Sequence, residues 1–139
     1  MRNFRKYNIW TDSVNFVTET YSLTRSFPSH EKFGLADQLH RASISIASNI
    51  AEGASRESEK EFAHFLQISL GSAYEVETQL IIANKLFYIN YNQLDNQTHK
   101  LYSIEKRLAE MIKRLNLKVP KQKSYPPSQF IVIVHSYSL

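Results

Sequence analysis

Residues 43–53 read Ser43-Ile44-Ser45-Ile46-Ala47-Ser48-Asn49-Ile50-Ala51-Glu52-Gly53, and how this stretch is read decides the fold. Small side chains fill the positions between the isoleucines, apart from the polar pair Asn49 and Glu52. Over three helical turns, such a run lets the axis of a neighbouring helix come close, because interaxial distance follows the size of the side chains at the contact. The isoleucines supply the apolar area. The run specifies tight helix packing and, taken alone, no chemistry.

Working outward, the helix that carries this run starts at residue 32 or 35 and extends to about residue 56. Leu35, Leu39, Ala42, Ile46 and Ile50 form its core stripe, with Asn49 at the flank. Gly53 reads as a loosened last turn. Ser58-Glu59-Lys60-Glu61 follows as a capping box, in which the Ser58 hydroxyl and the Glu61 carboxylate each satisfy an orphan amide. The next helix, residues 59 to 88, carries Phe62, Leu66, Ser69, Ala73, Val76, Leu80, Ala83 and Phe87 at alternating spacings of four and three, a coiled-coil-like seam. Gly71 is costly in a helix interior by roughly 1 kcal/mol relative to alanine, so a packing role is expected for it. Phe65, Ile68, Ile82 and Leu86 lie off one side of the seam, and Leu70, Tyr74 and Ile81 off the other. That is more apolar circumference than one bundle buries.

A first helix is expected over residues 8 to 26, ending before Pro28, whose ring disfavours helical geometry in the preceding residue. Trp10, Val14, Val17 and Tyr21 form one stripe; Ile9, Phe16 and Leu23 recur every seven residues about 100° away. A fourth helix follows Asn92 as N-cap and ends near residue 116, with Leu94, Leu101, Ile104, Leu108, Met111 and Leu115 on its seam and Gln97 its one polar member. Short links favour antiparallel neighbours. The expectation is an all-α, antiparallel up-and-down four-helix bundle over residues 1–117. An irregular tail over 118–139 is basic, then proline-rich, then apolar at Phe130-Ile131-Val132-Ile133-Val134. That last run has strand propensity and no helical partner; it reads as a segment that docks on a sister subunit or as an unstructured end.

At 139 residues the chain can bury a core of its own, without disulfide or metal. It contains no cysteine, which excludes thiol catalysis and zinc–thiolate sites and fits a reducing cytosol. No apolar stretch is long enough to span a bilayer, and the basic start Met1-Arg2-Asn3-Phe4-Arg5-Lys6-Tyr7 lacks the apolar region of a secretory signal. A cytoplasmic protein without membrane partners is expected. No cofactor is expected either. Glu61-Phe62-Ala63-His64 has the Glu-x-x-His spacing of di-iron bundles, but those need a second such motif and two further glutamates. No serine sits in a nucleophile elbow, and the remaining histidines have no partner at metal-ligand spacing. The chain is expected to be non-catalytic.

The net charge of +4 is unevenly placed. Residues 1–99 hold nine basic and eleven acidic side chains, whereas residues 100–139 hold eight basic and two acidic. Such local basicity either attracts polyanions or solvates a helix face. By heptad position Lys100, Arg107 and Arg114 lie beside the seam, while Lys106 and Lys113 point to solvent; Glu110 lies three or four residues from the four nearest cations and damps their field. Lys106, Lys113, Lys118, Lys121 and Lys123 are therefore the polyanion candidates. Aromatic interleaving is thin, so contact with phosphate rather than successive base stacking is the expected mode.

An ordered series of further residues flanks the opening stretch. Trp10, Phe27-Pro28, Gly34-Leu35, Gln38-Leu39 and Arg41-Ala42 precede it, and Phe62, Phe65-Leu66, Gly71-Ser72 and Glu75 follow it. Over residues 10–115 the chain resembles the four-helix-bundle proteins encoded in bacterial 23S rRNA intervening sequences, and it is similar to the accessory variability proteins of diversity-generating retroelements. The resemblance implies a ring-shaped homopentamer with a basic surface, acting without catalysis beside RNA, DNA or a protein partner such as a reverse transcriptase. Ile9, Phe16 and Leu23, then Ile44, Asn49 and Glu52, and finally Ile68, Tyr74 and Ile82 are the residues assigned to packing or subunit contact. Glu52 is expected to act as a structural polar contact compensated by Arg41, Arg56 or a partner subunit. The alternative to a nucleic-acid accessory is a structural or protein-interaction module with apolar outer faces on the first and third helices.

Overall fold

The computed structural model describes residues 2–120. Four helices, α1 (Asn8–Thr24), α2 (Leu35–Ala54), α3 (Glu59–Lys85) and α4 (Tyr91–Lys118), are accompanied by 3-10 turns at Phe4–Lys6 and Ser29–Glu31. Each helix packs on its two neighbours around a square, and no contact joins the diagonal pairs α1–α3 and α2–α4. Cross-links such as Asp12–Arg107 and Glu19–Lys100 show that α1 and α4 run antiparallel. The all-α four-helix bundle expected from periodicity is present. The apolar run at 130–134, like Lys121 and Lys123, lies outside the described residues.

The α2–α3 contact is the most intimate of the four, and the opening stretch is its cause. Ser43, Ile46, Ala47, Ile50, Gly53 and Ala54 are buried against a facing row that includes Ala63, Ser69 and Ala73. The hydroxyl of Ser69 donates to the Ile46 carbonyl at 2.8 Å, and Ser45 and Ser72 join hydroxyls at 2.7 Å. Asn49 Nδ2 donates to the Ser45 carbonyl and hydroxyl at 2.8 and 2.9 Å. These bonds satisfy polar groups that close backbone approach would otherwise strand, each contributing about 1 kcal/mol net. Gly53 is not a loosened turn. A Cβ there would lie 2.8 Å from Phe65 Cβ and 3.0 Å from Phe62 Cδ1, so glycine is what lets α3 cross at this point. Gly71, by contrast, has open space beside it, and nothing within the chain explains it.

In α1 the core stripe is Ile9, Ser13, Phe16, Thr20 and Leu23. The expected stripe of Trp10, Val14, Val17 and Tyr21 lies at its edge, half-buried or exposed. Serine and threonine hid the true period. Their hydroxyls donate back to the Ile9 and Phe16 carbonyls at 2.7 and 2.9 Å, which makes both residues admissible in an apolar core. Ile9, Phe16 and Leu23 are consequently core residues of the single chain and offer no surface to another subunit.

Helix ends differ from expectation at three places. Ser58 accepts from the Glu61 amide at 3.0 Å, but only that half of the expected capping box forms. The reciprocal box belongs to α4, where Asn90, not Asn92, is the N-cap: Asn90 Oδ1 accepts from the Gln93 amide at 2.8 Å and Gln93 Oε1 from the Asn90 amide at 2.9 Å. The register of α4 is nevertheless as read, with Leu101, Ile104, Leu108 and Leu115 buried and Ile112 more enclosed than Met111. Phe87 does not continue the α3 seam. Helix α3 ends at Lys85, the Tyr88 amide donates to the Ala83 carbonyl at 2.9 Å, and Phe87 sits at φ 62° with 93% of its surface exposed. Glu31, in the link before α2, accepts from the Leu35 amide at 2.8 Å, so the helix starts at the later of the two expected positions.

Candidate nucleic-acid interface

The exposed face of α4 sorts its cations by what they touch. Arg107 reaches Asp12 on α1 at 2.7 Å and Lys100 reaches Glu19 at 2.8 Å, so both are spent on joining helices. Arg114 lies 3.9 Å from Glu110, a long contact that offsets little charge. Lys106 and Lys113 are exposed and have no ion pair among the described residues. They stand seven residues apart on one face, roughly 10 Å along the axis. The expected damping of all four cations by Glu110 reduces to the one loose pair.

A second group of cations assembles at one end of the bundle, where the N-terminal segment, the α2–α3 link and the last turn of α4 meet. Arg2 donates to the Arg56 carbonyl at 2.6 Å, pairs with Glu59, and lies over the Phe62 ring at 4.8 Å. Lys118 takes the other oxygen of Glu59 at 3.9 Å. Arg56 pairs with Glu52 at 2.5 Å and covers the Phe65 ring at 4.7 Å. Glu52 is thus compensated locally, just past the end of α2, by one of the residues named for it. Arg5 and Lys6, in the N-terminal 3-10 turn, are exposed beside this clasp. The meeting of Arg2 and Lys118 on Glu59 is tertiary and leaves no mark in local sequence. Glu57 and Glu61 also face solvent here, so this end carries both signs of charge.

The apolar candidates divide as burial dictates. Ile44, Ile68, Tyr74 and Ile82 are exposed, with Ile81 and Leu86 beside them, whereas Asn49 is held by Ser45 inside the chain. The surplus circumference of α3 is therefore real, and on α1 it is the half-buried stripe of Trp10, Val14 and Val17 with the exposed Tyr21. The far end of the bundle carries three further exposed aromatics, Phe33, Phe87 and Tyr91.

Sequence reasoning missed one site altogether. Glu105 of α4 and Glu77 of α3 meet at the interhelical seam. Burial first, then a hydrogen bond and the charge of Glu77, push the Glu105 carboxyl up to about 7. The charge of Glu77, followed by burial, also raises the Tyr102 phenol. The only signal available was position: Glu105 sits beside Leu101, Ile104 and Leu108 on the buried side of α4. His40 is also engaged, stacked on Tyr21 at 3.7 Å and bonded to the Thr24 hydroxyl at 2.7 Å; burial lowers its pKa against the opposing pull of Asp37. No cluster of three or more metal-binding side chains exists among the described residues, and His64 and Glu61 both point to solvent. No helix among those residues is long and apolar enough to cross a membrane.

A square of antiparallel helices with a polar small-residue seam defines a four-helix bundle. Residues 5–125 match the family model described as 23S rRNA-intervening sequence protein, and the chain belongs to that family. A crystal structure of a protein of unknown function from the S23 ribosomal protein family of Bacteroides thetaiotaomicron VPI-5482 is similar to it, with 26% identity and a TM-score of 0.71. That alignment covers 76% of this chain and 98% of the other. Among curated proteins nothing matches.

Proposed function

We propose that this chain is a non-catalytic, self-associating nucleic-acid accessory that holds phosphate on the outer face of α4. The observation that carries the reading is the contrast along that helix. Lys100 and Arg107 are neutralised by α1, while Lys106 and Lys113 are exposed with no counter-charge, which leaves their field for an external polyanion. Lys118 is half-spent on Glu59, and Arg5 and Lys6 extend the basic surface past the end of the helix. Self-association rests on Ile44, Ile68, Tyr74 and Ile82, which a lone bundle leaves uncovered. The family's resemblance to pentameric rings makes five copies the expected number, and a ring would multiply weak phosphate contacts by avidity. A partner such as a reverse transcriptase fits the same surface through its bound RNA.

Binding of structured RNA and duplex DNA, measured by mobility shift across a salt series, tests this. Log affinity should fall linearly with log salt, and K106E/K113E should weaken all sequences alike and lower the slope by about one per lysine. No binding at low ionic strength overturns the reading. The second reading, a protein-interaction module, is favoured by Phe33 and Phe87, two aromatics 87% and 93% exposed at one end of the bundle. Recovery of a stoichiometric protein partner after nuclease treatment would support it instead.

A further inference from the structure

Of the four contacts around the square, α1–α4 is the least intimate, and a cleft of about 450 Å³ opens along it. Its floor is apolar, made by Phe16 and Ile104, each only 1% exposed. Its two ends are closed by the ion pairs Asp12–Arg107 and Glu19–Lys100, which stand roughly 10 Å apart along the helices. Between them Asn15 and Ser103 line the opening, and neither side chain makes a hydrogen bond within the described residues.

The electrostatics select the occupant. Each ion pair cancels its own charge, so the cleft carries none to attract an anion or a cation, and a charged group placed inside would lose hydration without a partner. A neutral, flat ring with donors and acceptors at its edge fits: it needs no counter-charge, and its edge meets the free amide of Asn15 and hydroxyl of Ser103. Beside it, a shallower hollow shares His99, Ser103 and Arg107 with the cleft and adds Tyr102, Lys106 and Glu110, whose carboxylate is turned to Arg114 at 3.9 Å. A neutral ring in the cleft and an uncompensated cation beside it is the charge pattern of one nucleotide.

We propose that the α1–α4 cleft seats a single unpaired nucleobase of a bound strand, with the adjoining phosphate on Lys106. This rests on the phosphate-binding reading above and sharpens it, since it selects unpaired over duplex nucleic acid. Recognition of splayed-out bases is how single strands are commonly distinguished from helices. It requires only one base per chain, not the successive stacking for which the sequence lacks aromatics.

Fluorescence anisotropy with the full chain tests it, using a uridine 12-mer, an abasic strand of equal charge, a duplex and heparin as probes. The base-bearing strand should bind about tenfold more tightly than the abasic one. N15F, which fills the cleft from α1 without touching the hollow around Lys106, should abolish that preference while leaving heparin affinity unchanged. Equal binding of abasic and base-bearing strands, with heparin still bound, overturns the base seat alone; failure to bind any of the polyanions overturns both readings. Should N15F fail to fold, photo-crosslinking of a 4-thiouridine strand to the unmodified chain decides. Adducts on α1 and α4 around Asn15 or Ser103 support the seat, and adducts confined elsewhere refute it.

Discussion

Glu105 on α4 faces Glu77 on α3 across the interhelical seam, and burial together with Glu77 pushes the Glu105 carboxyl up to about 7. The Oε1 atom of Glu105 is buried without a donor to accept from, so two ionised carboxylates at this place would face each other unscreened. Keeping the proton turns repulsion into a hydrogen bond. An unfolded glutamate releases its proton near 4.5, whereas folded Glu105 retains it up to about 7. Between those values the folded chain binds more protons than the unfolded one, so stability falls as pH rises through that window and levels off above it.

His40 acts in the opposite sense. Its pKa is lowered by burial, so its contribution is complete above the ordinary imidazole value and is lost as pH falls through the lowered one. The comparison of wild type with E105Q separates the two. E105Q keeps a donor toward Glu77 at every pH, so its Tm should exceed that of wild type at pH 8 and approach it at pH 5. Parallel Tm profiles for the two proteins would show that no proton is shared.

The two helical glycines should respond with opposite signs. G53A places a methyl group into the Phe62 and Phe65 side chains and should destabilise by about 1–3 kcal/mol. G71A meets open space and should stabilise the fold by about 0.5–1 kcal/mol. Urea denaturation measures both. A destabilising G71A would mean that another copy packs against that position, and light scattering would then show a lower molar mass.

Phe87 occupies left-handed backbone at a helix C-terminus, where glycine carries no Cβ penalty. Because the ring is exposed, F87G forfeits no packing within the chain and should stabilise it by roughly 1 kcal/mol, read as a higher urea midpoint. A lower midpoint would show that the ring is engaged in the assembled protein.

The exposed isoleucines give a direct test of self-association. I68E/I82E should leave the helical content and core of one bundle intact, since both side chains lie outside it, yet reduce the molar mass measured by light scattering. Unchanged mass across a dilution series would remove these residues from any subunit contact.

How much of this was legible beforehand depended on whether the cause was local. The α2–α3 seam could be read because small residues and isoleucines recur at helical spacing and because Ser58 caps α3 by a contact three residues away. Helix α1 was misread because Ser13 and Thr20 look polar in sequence and become core residues only once their hydroxyls return to the preceding turn. Asn92 and Asn90 are equally good N-caps as letters; the position of Gln93 relative to Asn90 decides between them. The basic candidates on α4 were separable by heptad position: of the three beside the seam, Lys100 and Arg107 pair with α1, whereas Arg114 reaches only Glu110 of its own helix. The Arg2 clasp and the Glu77–Glu105 pair join residues distant in sequence, and no window of sequence contains both members.

One carboxylate, Glu59, ties both extremities of the bundle: Arg2 grips one of its oxygens and Lys118 the other. The start and finish of the helical array therefore lie side by side, and a short peptide bridge could splice them. A circular permutant that opens instead at the turn around Phe87 should retain the architecture, with fraying moved from the clasped pole to the opposite one.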